Sequence, residues 1–163
     1  MFADLNKHAV RPSTSINTLY DHRDSLSELA RYLSKEVNVF LLMTELEKSS
    51  ISNRSSKLFT LSSIKSASKV LLSKGNKELV TEEDKFLAVE FWKEVTQNMP
   101  DWVKAKNKEV LTYELREQYV HAHGVILQAM GNIGADLFIN YQSNWKDKLS
   151  KLSDINWTRH NRD

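Results

Sequence analysis

Four glycines and two prolines in 163 residues leave this chain few places to turn tightly. Glycine supplies the left-handed backbone that many turns require, and proline interrupts helices and central strands. A chain poor in both is expected to consist of long, uninterrupted elements. The expected class is therefore mainly α. One compact domain over residues 1–163 should hold about six or seven helices, with room for one short strand. Zero cysteines exclude disulfides, thiolate catalysis and thiolate metal sites, and fit a reducing cytoplasm. No run of 18 apolar residues suggests a membrane span, and the first residues lack the basic-then-apolar layout of a secretory signal.

Local patterns mark out the elements. A short helix is expected near Ala3–His8, followed by a loop through Pro12. Ser25-Leu26-Ser27-Glu28 reads as a capping box before an apolar stripe of Leu26, Leu29, Ala30 and Leu33. Val37 to Met43 is open to either strand or helix, and Thr44 to Ser56 reads as loop. Thr60 can cap a helix from Leu61 to Ser73 closed by Gly75. Thr81 opens the next helix, whose acidic first turn complements the helix dipole and which stops before Pro100. Phe86, Leu87, Val89, Phe91, Trp92 and Val95 make that helix central to the expected core. Thr112 starts another. The stretch from Ala122 to Gln142 carries Ile126, Leu127, Met130, Ile133, Leu137, Phe138 and Tyr141 on one face, with Gly131 and Gly134 allowing close helix approach. A last short helix is expected near Trp145–Leu152.

Charge is unevenly distributed. Lys48 to Lys77 contains seven basic residues and no acidic one, a local basic surface on a chain of net charge +2. On the helix from Leu61, the residues Ser62, Lys65, Ser66, Lys69 and Ser73 share a face opposite Leu61, Ile64, Ala67 and Leu71. Lysines one turn apart among hydroxyls suit phosphate oxygens, and equally suit a solvated amphipathic face. Arg54, Lys57, Lys65, Lys69 and Lys74 are the candidate nucleic-acid contacts. A helix-turn-helix over 61–98 is disfavoured by its long connection and its acidic second helix.

The first 24 residues interleave apolar side chains with carboxylate, carboxamide, imidazole and guanidinium groups. Asn6, Lys7, His8, Arg11, Asp21, His22 and Arg23 form a candidate junction, in which the two histidines could take part in acid–base work. His121-Ala122-His123 would point its imidazoles apart on a helix and to one face on a strand; with no cysteine and no nearby acid cluster, no metal site is expected there. Phosphate-cradling glycine loops, Gly-x-Ser-x-Gly elbows and His-Glu-x-x-His motifs are absent from the sequence. No catalytic residue, metal or cofactor is assigned.

Several segments together resemble one family. Phe2 to Ser13, Leu19 to Asp24, Ile51 to Leu61, Phe91-Trp92 with Met99-Pro100-Asp101-Trp102, His121-Ala122-His123-Gly124 and Ile155 to Arg159 are similar, in order, to the DndB family of DNA sulfur modification proteins in the DGQHR-domain group. The Asp-Gly-Gln-His-Arg motif itself does not occur here. By that resemblance the chain looks like a central-to-C-terminal fragment. Residues 1–24 would adjoin a missing upstream half, and 155–163 would begin a truncated tail. The resemblance implies a bacterial, DNA-binding component of the phosphorothioate modification system that represses transcription of the modification genes. Two rivals are a ParB-like nucleotide hydrolase or nuclease, with His8, Asp21, His22 and Arg23 completing a site begun upstream, and a module that docks other modification proteins. The expected partner is the DNA phosphate backbone, with other modification proteins second and no membrane.

Overall fold

Four helices of this chain begin where Ser13, Asp24, Thr60 or Thr81 accepts the free amides of a first turn. The computed structural model describes residues 11–161 and contains nine α-helices among them: α1 (Thr14–Tyr20), α2 (Ser25–Glu36), α3 (Asn38–Met43), α4 (Leu61–Leu71), α5 (Glu82–Gln97), α6 (Pro100–Lys106), α7 (Thr112–Gln118), α8 (Gly124–Asn140) and α9 (Trp145–Leu149). Two short strands, β1 (Thr44–Glu45) and β2 (Phe59–Thr60), pair in parallel with Thr44 opposite Phe59. The expected short helix at Ala3–His8 lies outside the described residues. The mainly α expectation holds, but the helices outnumber the expected six or seven.

The differences have local causes. Helix α1 stands where the sequence pattern suggests a loop, because its inward residues are Ser15 and Thr18 and leave no apolar period to read. Ser15 Oγ donates to Ser62 Oγ at 3.1 Å, joining α1 to α4. The cap of α2 is Asp24 rather than Ser25. Its carboxylate accepts from the Leu26 and Ser27 amides and from Ser27 Oγ at 2.6 Å. Ser25 is used elsewhere, donating to the Glu78 carbonyl and accepting from the Val80 amide. Val37 takes an extended conformation that ends α2 and starts α3, so the ambiguous segment 37–43 becomes a short helix. Helix α4 ends at Leu71, and Ser73, at φ 53°, makes the left-handed step expected of Gly75. Pro100 both follows the end of α5 and opens α6 as its first residue, a position where its missing amide costs nothing.

Thr60 and Thr81 cap α4 and α5 as expected, each within a reciprocal capping box. Edge-to-face and tilted aromatic contacts link the core from one end to the other. Trp145, Phe138, Phe91, Trp92, Phe40, Phe59 and Trp102 succeed one another with ring centroids 4.8 to 5.7 Å apart. Trp92 also donates its indole hydrogen to Ser68 Oγ at 3.1 Å, inside the core. Phe86, Ile133 and Tyr141 depart from expectation and are exposed, Phe86 by 70%. Helices apolar on most sides bury only the sides that meet a neighbour.

Helices α4 and α8 approach one another very closely. A Cβ at Gly131 would lie 2.4 Å from the Ala67 carbonyl oxygen, and one at Gly134 would lie 2.3 Å from Leu71 Cδ1 and 2.5 Å from the Phe91 ring. Alanine would gain about 1 kcal/mol in helix propensity. Overpacking against backbone costs about 1–3 kcal/mol and should outweigh that gain. Gly131→Ala is therefore expected to lower the thermal midpoint, whereas helix propensity alone would raise it. Calorimetry of the purified variant decides between the two signs.

Candidate nucleic-acid interface

The cations expected on one face of α4 are present there, but most are already held by the protein. Lys65 Nζ lies 2.5 Å from Asp24 Oδ2, and Lys74 Nζ lies 2.8 Å from Asp84 Oδ2. Lys69 donates to Asn76 Oδ1 at 2.5 Å, and Lys57 donates to the Leu42 carbonyl at 2.8 Å. Arg54 is exposed. The segment 48–77 contains no acid, yet folding brings Asp24 and Asp84 against it from other helices. Burial alone would raise the Asp24 carboxyl. Hydrogen bonds from Lys65 and Ser27, the Lys65 charge and the Leu26 amide outweigh burial and hold it below its ordinary value. Asp84 is lowered in the same way, against burial, by Lys74 and Thr81.

Of the candidate junction, Asn6, Lys7 and His8 lie outside the described residues, and Arg11 is exposed. Asp21, His22 and Arg23 form the exposed turn between α1 and α2. Asp21 Oδ1 accepts from the amides of Arg23 at 3.0 Å and Asp24 at 3.2 Å, which makes it a turn-former. Arg31 Nη1 secures the same turn through the carbonyls of Thr18 and Asp21. Asp21 and Arg23 line an open cavity of about 410 Å³ together with Asp24, Lys65, Lys77 and Glu78. The structure thus joins part of the junction to the α4 cation row, and leaves Arg54 and Lys57 at the other end of that helix.

A second constellation was not singled out from sequence. Arg116, on α7, is only 8% exposed. Its Nη1 donates to the Lys57 carbonyl at 2.5 Å, and its Nη2 donates to the carbonyls of Asn53 at 2.9 Å and Ser55 at 2.5 Å. Thr112 Oγ1 also donates to Ser55 O at 2.5 Å. These bonds fold the loop between β1 and β2 onto α7. Arg159 Nη2 approaches both the Arg116 carbonyl at 2.8 Å and His123 Nε2 at 2.5 Å. A bridge between Tyr119 and Thr158 holds the C-terminal segment in place.

His121 lies in the short 3-10 turn Val120–Ala122 and His123 in extended backbone before α8, and they serve different partners. His121 is buried. Its Nδ1 accepts from the Trp102 indole at 3.2 Å, which leaves the hydrogen on Nε2 to face Asp101 Oδ2 at 3.3 Å. Burial lowers its pKa, partly opposed by Asp101. His123 instead lines a groove. Three adjoining pockets of about 390, 300 and 380 Å³ make it up; the first two share Asn53, Arg116 and His123, and the last two share Thr60, Ser63 and Gly124. The groove runs between the N-termini of α4 and α8, and hydroxyls of Ser49, Ser62, Ser63 and Ser66 line it. Among the described residues no three metal-ligating side chains come together. No described helix is long and apolar enough to cross a membrane.

Three of the sequence segments noted for their resemblance, 51–61, 121–124 and 155–159, meet at this groove. The class defined by the fold is a helical domain with a polar, cation-ended groove. Residues 1–163 match the DndB family, described as DNA-sulfur modification-associated, and the chain belongs to that family. No curated protein and no solved structure matches it.

Asp24 and Asp84 set a direction for acid stability. Both carboxyls sit below the ordinary value of 3.8. Their stabilisation is complete above that unfolded value and is lost as pH falls through the lower folded values. Asp24→Asn keeps a capping oxygen and removes the charge, so it should lose less stability on acidification than the parent. Asp24→Ala also removes the cap and should cost about 1 kcal/mol at neutral pH. Urea unfolding at a series of pH values measures both effects.

Proposed function

We propose that this chain is the DNA-binding component of a phosphorothioate modification system and represses transcription of the modification genes. Membership of a DNA-sulfur modification-associated family supports the setting. The observation that carries the DNA contact is the groove between α4 and α8. It offers hydroxyls, the start of α8, which no side chain caps, and the cations Arg116 and Arg159 at one end. Phosphate backbones are held by these same group types, with arginine and lysine supplying charge and short polar side chains supplying register. Arg54 follows the groove residue Asn53 in the loop, and Lys69 lies three residues beyond the groove residue Ser66 on α4.

Lys65 and Lys74 have a different part in this reading. Each neutralises a carboxylate within a helix-capping arrangement, so reversing their charge would disturb the fold as well as any ligand. Arg54 and Lys69 are better probes. Arg54→Ala with Lys69→Ala should weaken duplex binding alike for all sequences. The slope of log affinity against log salt should become shallower by about 1.8, because two cations no longer neutralise phosphates. Fluorescence anisotropy with labelled duplexes reads both quantities. Unchanged affinity and slope in the folded double variant would rule out a phosphate role for these two residues. Equal affinity for the modification-gene promoter and a scrambled duplex would rule out the regulatory role.

A further inference from the structure

Arg116 presents a charge problem that the fold itself does not solve. A buried ionised side chain is normally paired with an opposite charge, because carbonyl dipoles replace only part of its hydration. Among the described residues no carboxylate pairs with Arg116, and its buried Nε has no hydrogen-bond partner. The guanidinium keeps its proton at any neutral pH. A second guanidinium, that of Arg159, contacts His123 Nε2 and lies 2.8 Å from the Arg116 backbone carbonyl. These groups line one pocket of about 390 Å³ with Asn53, Tyr113 and Glu117. Glu117 is its one acid and is exposed. Two guanidinium charges therefore face one carboxylate beside an open cavity.

The adjoining pocket of about 300 Å³ shares Arg116, His123 and Asn53, and adds the hydroxyls of Ser49 and Ser50. Charge and donors thus converge from three separate parts of the chain: the 49–63 segment, α7, and the C-terminal segment carrying Arg159. The convergence is held by the carbonyl cage around Arg116 and by the Tyr119–Thr158 bridge.

We propose that the pocket bounded by Arg116, His123, Arg159 and Asn53 is a seat for one phosphate-type oxyanion. Arg159 and Asn53 supply hydrogen bonds, and the buried Arg116 supplies uncompensated positive potential. The oxyanion has two possible sources, a backbone phosphodiester of DNA or the phosphate of a free small molecule. In the first case the seat deepens the function proposed above and rests on it; in the second it stands alone.

The test uses the whole chain, with inorganic phosphate and a short unmodified duplex as separate probes. The ring resonances of His123, assigned by comparison with His123→Gln, report occupancy. Inorganic phosphate should shift them saturably. Arg159→Ala should weaken that binding by about tenfold or more, the loss of a charge-assisted hydrogen bond, while Arg159→Lys retains part of it. Because Arg116 also organises the loop, its replacement is not used. If the duplex shifts the same resonances and Arg159→Ala weakens duplex binding, the source is the DNA backbone. If phosphate shifts them and the duplex does not bind, the seat stands for a free phosphate-bearing ligand and the DNA-binding function falls. If neither probe moves the His123 resonances in folded protein, the seat is refuted. Duplex binding unaffected by Arg159→Ala, with no phosphate effect, refutes the seat and leaves DNA binding to other surfaces.

Discussion

Two missing side chains hold the architecture together. At Gly131 the backbone of α8 comes so close to Ala67 of α4 that a methyl group would overlap its carbonyl, and at Gly134 the space is taken by Leu71 and Phe91. With the helices at this distance, their N-terminal ends also lie side by side, where Gly124 faces Ser63. The polar groove begins at that meeting point. Helix packing in the core and the geometry of the candidate site are therefore consequences of one contact. The glycines weaken α8 as an isolated helix, and tertiary packing supplies the compensation.

A second arrangement connects the core to the surface. The line of aromatic rings ends at Trp102, whose indole hydrogen bonds to His121. His121 packs against Tyr119 and Trp157. Tyr119 adjoins the bridge to Thr158, which carries Arg159 toward His123 and the Arg116 carbonyl. His121, whose burial favours the neutral ring, serves as the acceptor for an indole and is not available as a ligand. Beside it, the Arg116 cage gathers three carbonyls from a loop without regular structure. The loop thereby obtains partners for backbone groups that secondary structure would otherwise satisfy.

Legibility in the sequence followed the range of the forces involved. Thr60 and Thr81 were readable as caps because a cap and its amide lie three residues apart. Ser25 fits the same pattern and is nevertheless not the cap. Asp24 lies one residue earlier with a stronger acceptor, and Ser25 is bound to a loop more than fifty residues away. Helix α1 was hidden because its buried residues carry hydroxyls, Ser15 bonded to Ser62 of α4 and Thr18 to the Thr14 carbonyl of its own helix. The basic stretch is acid-free along the chain, but electrostatics acts through space. Asp24 and Asp84 arrive from other helices and neutralise Lys65 and Lys74.

Composition and short-range pattern were enough to establish a cysteine-free, mainly helical chain, the caps of α4 and α5, and the glycine-bearing face of α8. Segment order along the chain was enough to indicate its family. Which of its cations remain uncompensated was decided only on folding. Arg116 carried no distinctive local pattern, standing between glutamates on a short helix. Its burial, its three carbonyl partners and its proximity to Arg159 depend on residues 43 to 63 positions away. Local periodicity can report which face of a helix is apolar, since that depends on neighbours in sequence. The balance of charge in a cavity is a sum over everything nearby in space, and that sum exists only in the folded molecule.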